Sequence, residues 1–319
     1  MIVIIIFCLR NIRTAALAAA VLAVTALAVA CGSDEPSSDR PQIVVTTSVL
    51  GAVVSDVVGD AADVSVVIPN GADPHEFQPS AKDVARLEDA DLVVENGLKL
   101  EEGLEDSLEQ ARSDGVRVLT AADLVTLRPF GAGDAEEIAE HGPDDPHFWT
   151  DPLAMRQLVT GLTPALRDDL GLDVTARAGD LAGRLTALDA EIRAGLADIP
   201  PEQRTLVTGH ESMGYFADRY GFRVVGALIA SLSSQAHASA SDLAALKAQV
   251  EAQGVPVIFN EVGTPDGIAD AIADETGARV VEIATHNVPD DGSYITFVRD
   301  MARAIDDGLG AATPAPATG

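Results

Sequence analysis

From Gln42 onward the chain alternates short β-branched runs with stretches whose apolar residues recur every three or four positions. The runs QIVVTTS (42–48), VSVVIPN (64–70), DLVVENG (91–97) and VRVLT (116–120) read as strands. Between them SAKDVARLEDA (80–90) and LEEGLEDSLEQAR (100–112) have helical spacing. Ser80 is a candidate N-cap for the first of these helices, and Ser48 for a helix after the first strand. Strands alternating with helices in this way imply parallel pairing and an α/β fold.

The alternation breaks at 129–146, PFGAGDAEEIAEHGPDDP, which has no period and reads as a loop. Asp151-Pro152 then supplies a helix cap followed by proline in the first turn. From Val174 to about Ala197 no proline intervenes, and Leu181, Leu185, Leu188, Ile192 and Leu196 mark one apolar face. Such a helix is about 36 Å long at ~1.5 Å per residue, enough to span two lobes. After DIPPE (198–202) the alternation resumes with RTLVTGH, ESMGYFADRYG, FRVVGAL, SASDLAALKAQVEAQG (Ser241 a candidate cap), VPVIFNEV, TPDGIADAIADETG, ARVVEIA and SYITFVRDMARAIDDG. The expected architecture is therefore α/β in two lobes, each a mainly parallel sheet with flanking helices. The first lobe covers 42–150 and the second 201–310, joined through a helical connector over 151–200 that contains the long helix. Residues 311–319, AATPAPATG, read as a disordered tail.

The first 30 residues belong to a different pattern. Arg10 and Arg13 precede TAALAAAVLAVTALAVA, an uncharged run too short and small-sided for a membrane span, as in a secretory leader. It ends in Ala28-Val29-Ala30-Cys31-Gly32, which reads as a lipobox with Cys31 as the lipidated first residue of the mature chain. An ordinary export leader is the alternative. Residues 31–41 then form a polar tether. Cys8 leaves with the leader and Cys31 carries lipid, so neither of the two cysteines remains as a thiolate ligand. Any bound metal must be held by nitrogen and oxygen.

With 50 acidic against 21 basic residues the formal net charge is −29, which excludes general nucleic-acid binding and suits cationic ligands. Apolar residues make up 47%, enough for real cores, but aromatics only 4%, so those cores are aliphatic.

Ligands of open α/β sheets bind beyond the carboxyl ends of the strands. Of the six histidines, His75, His210 and His286 follow predicted strands, and His147 stands just before the Asp151 cap. Two of these four sit in the same tripeptide, Asp73-Pro74-His75 and Asp145-Pro146-His147. Proline stiffens its own backbone and biases the preceding residue to extended geometry, so the imidazole is presented on a rigid loop. The aspartate is placed to orient a ring N–H. His141 lies among Asp134, Glu136, Glu137, Glu140, Asp144 and Asp145, a solvated acidic loop or a weak metal-recruiting one. His237, ahead of a helix, reads as a surface residue.

The segments GADPHEFQPSAKDVARLEDADLVVENGLKLE, DDPHFWTDP, IPPEQRTLVTGHESMGYFADRYGF and VPVIFNEV, in this order, resemble the zinc/manganese-binding lipoproteins of ABC importers (cluster A-I solute-binding proteins). The resemblance runs from about 42 to 308. It implies two lobes on a rigid backbone helix with a metal site in the cleft between them, and His75, His147 and His210 at the matching ligand positions. The family's common fourth ligand is an aspartate. Register puts His286 at that position, with Asp290 or Asp291 as alternatives, or water.

Three or four imidazoles suit Zn²⁺ better than Mn²⁺, which prefers carboxylate oxygen. The resemblance further implies an acidic residue at the His210 position in manganese members. Zinc is therefore expected, with manganese as the alternative. The implied partners are a membrane permease and its ATPase, the membrane itself through the lipid anchor, and a metallochaperone as a possible loader. The protein is expected to be extracytoplasmic, monomeric and not an enzyme. Two other classes compete: a zinc metallohydrolase with Glu211 as base, which lacks an H-E-x-x-H motif, and an adhesin on the same fold, for which no residue argues.

Overall fold

The computed structural model describes residues 39–130, 142–229, 240–261, 264 and 267–310. The expected leader, Cys31, most of the tether and the tail lie outside the described residues. Arg40–Gly319 forms one unit by its internal contacts.

Its first half carries a parallel four-stranded sheet in the order β2-β1-β3-β4, from β1 (Gln42–Val45), β2 (Asp63–Val66), β3 (Leu92–Glu95) and β4 (Val118–Thr120). Ile43 pairs with Val64 on one side and Leu92 on the other. Helix α1 (Ser48–Val58) follows β1, α2 (Ala81–Glu88) follows β2 and α3 (Glu105–Ser113) follows β3. Both faces of the sheet are covered, as a parallel sheet requires. Ile43, Val45, Leu92 and Val94 point into a core shared with α1, whereas Val44 and Val93 point into a second core with Leu87, Leu104 and Leu108.

The connector is a helical hairpin, α4 (Pro152–Leu170) and α5 (Thr175–Gly195). Gly171, at φ 69°, ends α4 in the left-handed conformation that glycine adopts without strain. The expected long helix is α5, and Leu181, Leu185, Leu188, Ile192 and Leu196 are all buried. At ~1.5 Å per residue it spans about 32 Å. It packs on α1 from the first half and on α9 (Tyr294–Gly310) from the second.

In the second half, β5 (Thr205–Thr208) pairs in parallel with β6 (Arg223–Ala227), and β7 (Val257–Glu261) with β8 (Arg279–Ile283). Strand β5 lies beside β7, so the spatial order is β6-β5-β7-β8, although only the β5–β6 and β7–β8 pairs are hydrogen-bonded, as two two-stranded sheets. Helices α6 (Gly214–Tyr220), α7 (Ala240–Gln253) and α8 (Ile268–Thr276) complete the alternation. The α/β reading in two lobes with parallel strands holds.

Two local expectations are corrected. The cap of α1 is Thr47, whose side chain accepts from the Leu50 N–H; Ser48 is the first helical residue. Thr47 has the extended backbone (φ −113°, ψ 153°) that a cap needs, and Ser48 is left to donate to the His286 carbonyl at 3.3 Å. Ser241 likewise lies inside α7, which begins at Ala240.

Candidate metal centre

The carboxyl ends of the strands converge between the halves, and the backbone there is shaped for imidazoles. In both Asp-Pro-His tripeptides the aspartate folds back on the histidine. Asp73 Oδ1 accepts the His75 backbone N–H at 2.9 Å, and Asp145 Oδ1 accepts that of His147 at 2.9 Å. This Asx turn, with a proline at its centre, leaves the histidine backbone few alternatives. Asn96, just past β3, donates to the Pro146 carbonyl at 3.1 Å and fixes the second loop from behind. His210 follows Gly209 directly after β5. A β-carbon at Gly209 would collide with Glu261 and Thr264, so only glycine lets the β5 and β7 ends approach this closely.

The structure brings His75, His147 and His210 together. One ring nitrogen from each lies within 4.8 Å of the others, and the three side chains are buried at 6%, 0% and 4% exposure. His75 Nε2 and His147 Nε2 are 3.3 Å apart. For Zn–N bonds of ~2.0–2.1 Å, tetrahedral geometry requires ligand nitrogens about 3.3–3.4 Å apart. The first two imidazoles thus stand at ligand spacing.

The outer nitrogens meet carboxylates. His147 Nδ1 lies 2.8 Å from Asp145 Oδ1, which leaves Nε2 as the free lone pair facing the cluster. His210 Nδ1 lies 2.7 Å from Glu261 Oε2, close enough for an ion pair although off the axis of a straight N–H bond. Glu261, at the carboxyl end of β7, has no exposed surface and accepts from Ser212 Oγ (2.9 Å) and Thr285 Oγ1 (2.6 Å). It was not singled out from the sequence, although the strand-end rule that selected the histidines applies equally to it.

These surroundings separate the imidazoles in basicity. Burial holds His147 below its ordinary value despite Asp145, and burial together with the charge of His210 does the same to His286. Burial also pulls on His210, but the Glu261 carboxylate outweighs it and raises that imidazole. Glu261 answers in kind: burial pushes it up, and the His210 charge with its hydrogen bonds holds it well below the usual range. Of His147, His210 and His286, His210 is therefore the one that keeps its proton longest.

His286 is buried at 8% exposure but is not among the three whose nitrogens converge; its Nδ1 lies 3.4 Å from Thr285 Oγ1. Asp291 is exposed and spends its oxygens on Ser293 N and Thr296 Oγ1, at 2.9 and 2.7 Å. Asp290 is exposed as well. Glu211 lines a cavity of about 250 Å³ beside the cluster with Arg128, Asp145 and Gly214. Asp134, Glu136, Glu137, Glu140, His141 and His237 lie outside the described residues.

The two halves are tied around this centre. The ring of Trp149, edge-on to His147 at 5.1 Å, donates to the Thr285 carbonyl at 2.7 Å, while its own carbonyl accepts from Tyr294 OH at 2.7 Å. Asn70 makes a two-point contact with the Val288 backbone, donating to its carbonyl at 2.7 Å and accepting its N–H at 2.8 Å.

Comparison with known proteins points the same way. A family model described as ZnuA, zinc-uptake complex component A, periplasmic, matches residues 43–308. Manganese-binding lipoprotein MntA of Halalkalibacterium halodurans is 28% identical over 295 residues, 90% of this chain and 94% of that protein. Zinc-binding lipoprotein AdcA of Streptococcus pneumoniae is 30% identical over 263 residues; the match covers 79% of this chain and only 51% of AdcA. The solved structure of the periplasmic zinc-binding protein TroA from Treponema pallidum superposes with a TM-score of 0.76 at 26% identity, over 85% of this chain and 99% of TroA.

Proposed function

The chain belongs to the zinc-uptake complex component A family, and from that premise we propose that it is the extracytoplasmic zinc-binding component of an ABC importer. It takes up the ion between its lobes and delivers it to a membrane permease driven by an ATPase. The carrying observation is the buried trio His75, His147 and His210 with two Nε2 atoms 3.3 Å apart. Three neutral nitrogens with no carboxylate among them favour Zn²⁺ over Mn²⁺. His286 is the proposed fourth ligand, reached by a small shift of a loop already at the cluster's edge, with Asp291 as the alternative. The acidic residues Asp134, Glu136, Glu137, Glu140 and His141 are proposed as a recruiting loop, and Cys31 as the lipid attachment that holds the protein at the outer face of the membrane. Among the described residues no helix is long and apolar enough to cross a membrane.

A carrier, rather than a hydrolase, is what a fourth protein ligand supports, since His286 would close the open coordination position that a catalytic site needs. Titration of the full chain with Zn²⁺ and Mn²⁺, read by emission of Trp149, the single tryptophan, tests the reading. One tight Zn²⁺ per chain is expected, weakened at least about 100-fold by His75→Ala, His147→Ala or His210→Ala, with little change in His141→Ala or His237→Ala. Tight zinc binding that survives all three core substitutions would sink the assignment. Tighter binding of Mn²⁺ than Zn²⁺ would make it a manganese carrier instead.

A further inference from the structure

The two loops that carry the Asp-Pro-His tripeptides have a common root. The His75 loop leaves the sheet at Ile68, whose N–H bonds to the Thr46 carbonyl at 2.8 Å. The His147 loop is held at the Pro146 carbonyl by Asn96 Nδ2, at 3.1 Å. Thr46 and Asn96 are the first residues past β1 and β3, the two central strands of the four-stranded sheet. One side chain joins them. The carboxylate of Glu101, 3% exposed, accepts through Oε1 from Thr46 Oγ1 and from the Asn96 N–H (2.7 Å), and through Oε2 from the Gly97 N–H (3.3 Å).

Bringing Glu101 back beneath the strand ends is costly. The chain turns through Gly97, Leu98 and Lys99, all left-handed, and the last two carry a β-carbon at φ 57°. Burial pushes the carboxyl up to about 7, so stability falls as pH rises toward that value and the whole cost is borne at pH 8. Closing a turn requires neither a strained backbone nor a buried acid. We propose that Glu101 is a positioning residue for the metal site: acting through Thr46 and Asn96, it fixes the roots of both loops and so sets the 3.3 Å spacing of the His75 and His147 nitrogens. This rests on the three-histidine reading of the site. The relay on one side runs from Thr46 to Ile68, and on the other from Asn96 to Pro146.

The test reads zinc affinity of the full chain at pH 8, by competition with a chelator, beside the urea midpoint of the metal-free protein. Glu101→Ala should lower affinity about tenfold, the lower end of the range for partners that touch a ligand directly. It should also shift the emission of metal-free Trp149, two residues past His147 on the same loop. Glu101→Gln keeps an oxygen for Thr46 and Asn96 and loses one bond, so affinity should return to within about threefold of the parent. Its urea midpoint should not fall, because the cost of the buried charge is gone. A merely structural role would instead move midpoint and leave affinity per folded molecule alone. Added to Asn96→Ala, Glu101→Ala should cost less than it does by itself, since one of its two relays is already cut. Unchanged affinity in Glu101→Ala, or full additivity with Asn96→Ala, overturns the proposal. Should Glu101→Ala not fold, Thr46→Val decides in its place: it removes one donor and keeps the shape, and an unchanged affinity overturns the proposal equally. A parent whose binding needs His75 and His147 yet is indifferent to Glu101 sinks this proposal alone. A parent indifferent to those histidines sinks the ligand reading, and this one with it.

Discussion

At the scale of single residues, the Asp-Pro-His tripeptides show how far side-chain chemistry can be read before folding. The stiff loop and an aspartate set to orient the imidazole were legible, because both depend on neighbours in sequence; that both aspartates also fold back on their histidine's backbone N–H was not read. That Asp145 also meets the imidazole ring, whereas Asp73 serves the backbone of its histidine, depends on ring rotation set by the fold. Glu261 was illegible as a partner of His210 for the same reason: 51 residues separate them, and only the β5–β7 contact joins them. This pair governs the pH dependence. His210 is raised above its ordinary ~6.5 by Glu261, and the metal requires it deprotonated. Zinc affinity should therefore be flat above the raised value and fall as pH drops through it, about tenfold per pH unit for one displaced proton. In Glu261→Gln the raising charge is gone while burial still pulls His210 down, so the fall should begin at lower pH. Competition titrations with a chelator across pH 5–8 measure both onsets; an onset that does not move would show that Glu261 does not set it.

At the scale of elements, the caps of α2 and α4 were anticipated, whereas that of α1 was expected one residue late, at Ser48 instead of Thr47. Ser80 forms a full capping box with Asp83, and Asp151 caps α4 through the Leu153 N–H at 2.7 Å. The strands run shorter than their apolar patterns. β1, β2 and β3 stop at Val45, Val66 and Glu95, two to four residues before the expected ends. The polar residues that follow are diverted to the cleft: Thr46 donates to Glu101, Asn70 grips Val288 and Asn96 holds Pro146. Composition cannot signal this, since a strand end and a site loop use the same small polar residues. Asp151 also carries a second duty, a two-oxygen contact with Arg219 of α6 at 2.6–2.9 Å. Asp151→Ala should lose about 1–2 kcal/mol for the cap alone and more for the abandoned arginine, whereas Asp151→Asn keeps the cap and should lose about half as much. Urea unfolding midpoints distinguish the two; equal losses would mean that the cap contributes nothing, and an Asn variant as stable as the parent that the charge contributes nothing.

At the scale of the molecule, strand–helix alternation revealed two α/β halves, and the unbroken heptad-like face of α5 revealed what joins them. Its ion pairs reach both ways, Arg184 to Asp56 on α1 and Glu191 to Arg299 on α9, both at 2.7 Å. Being exposed, these pairs add little to stability, and the shared apolar core does the joining. The contacts across the cleft were beyond sequence reading, because Asn70 and Val288 stand 218 residues apart and show no pattern in common. Asn70→Ala should ease separation of the halves while leaving each half's core untouched. Loss of two hydrogen bonds predicts zinc dissociation about tenfold faster with the association rate within about twofold. Stopped-flow displacement by a chelator reads this, and an unchanged off-rate would place the clasp elsewhere.

The division of the proposed ligands is unequal. His75 and His147 come from the first half, already 3.3 Å apart, and His210 comes from the second. If the halves part to release an ion, this division predicts that it does not drop free at once. On the proposed assignment it would keep two nitrogens on one wall and lose its hold on the other, a weaker and more exchangeable grip. Hand-over would then be directional: the cargo would stay with the amino-terminal half, and a receiving site would have to approach from the side the carboxy-terminal half has vacated.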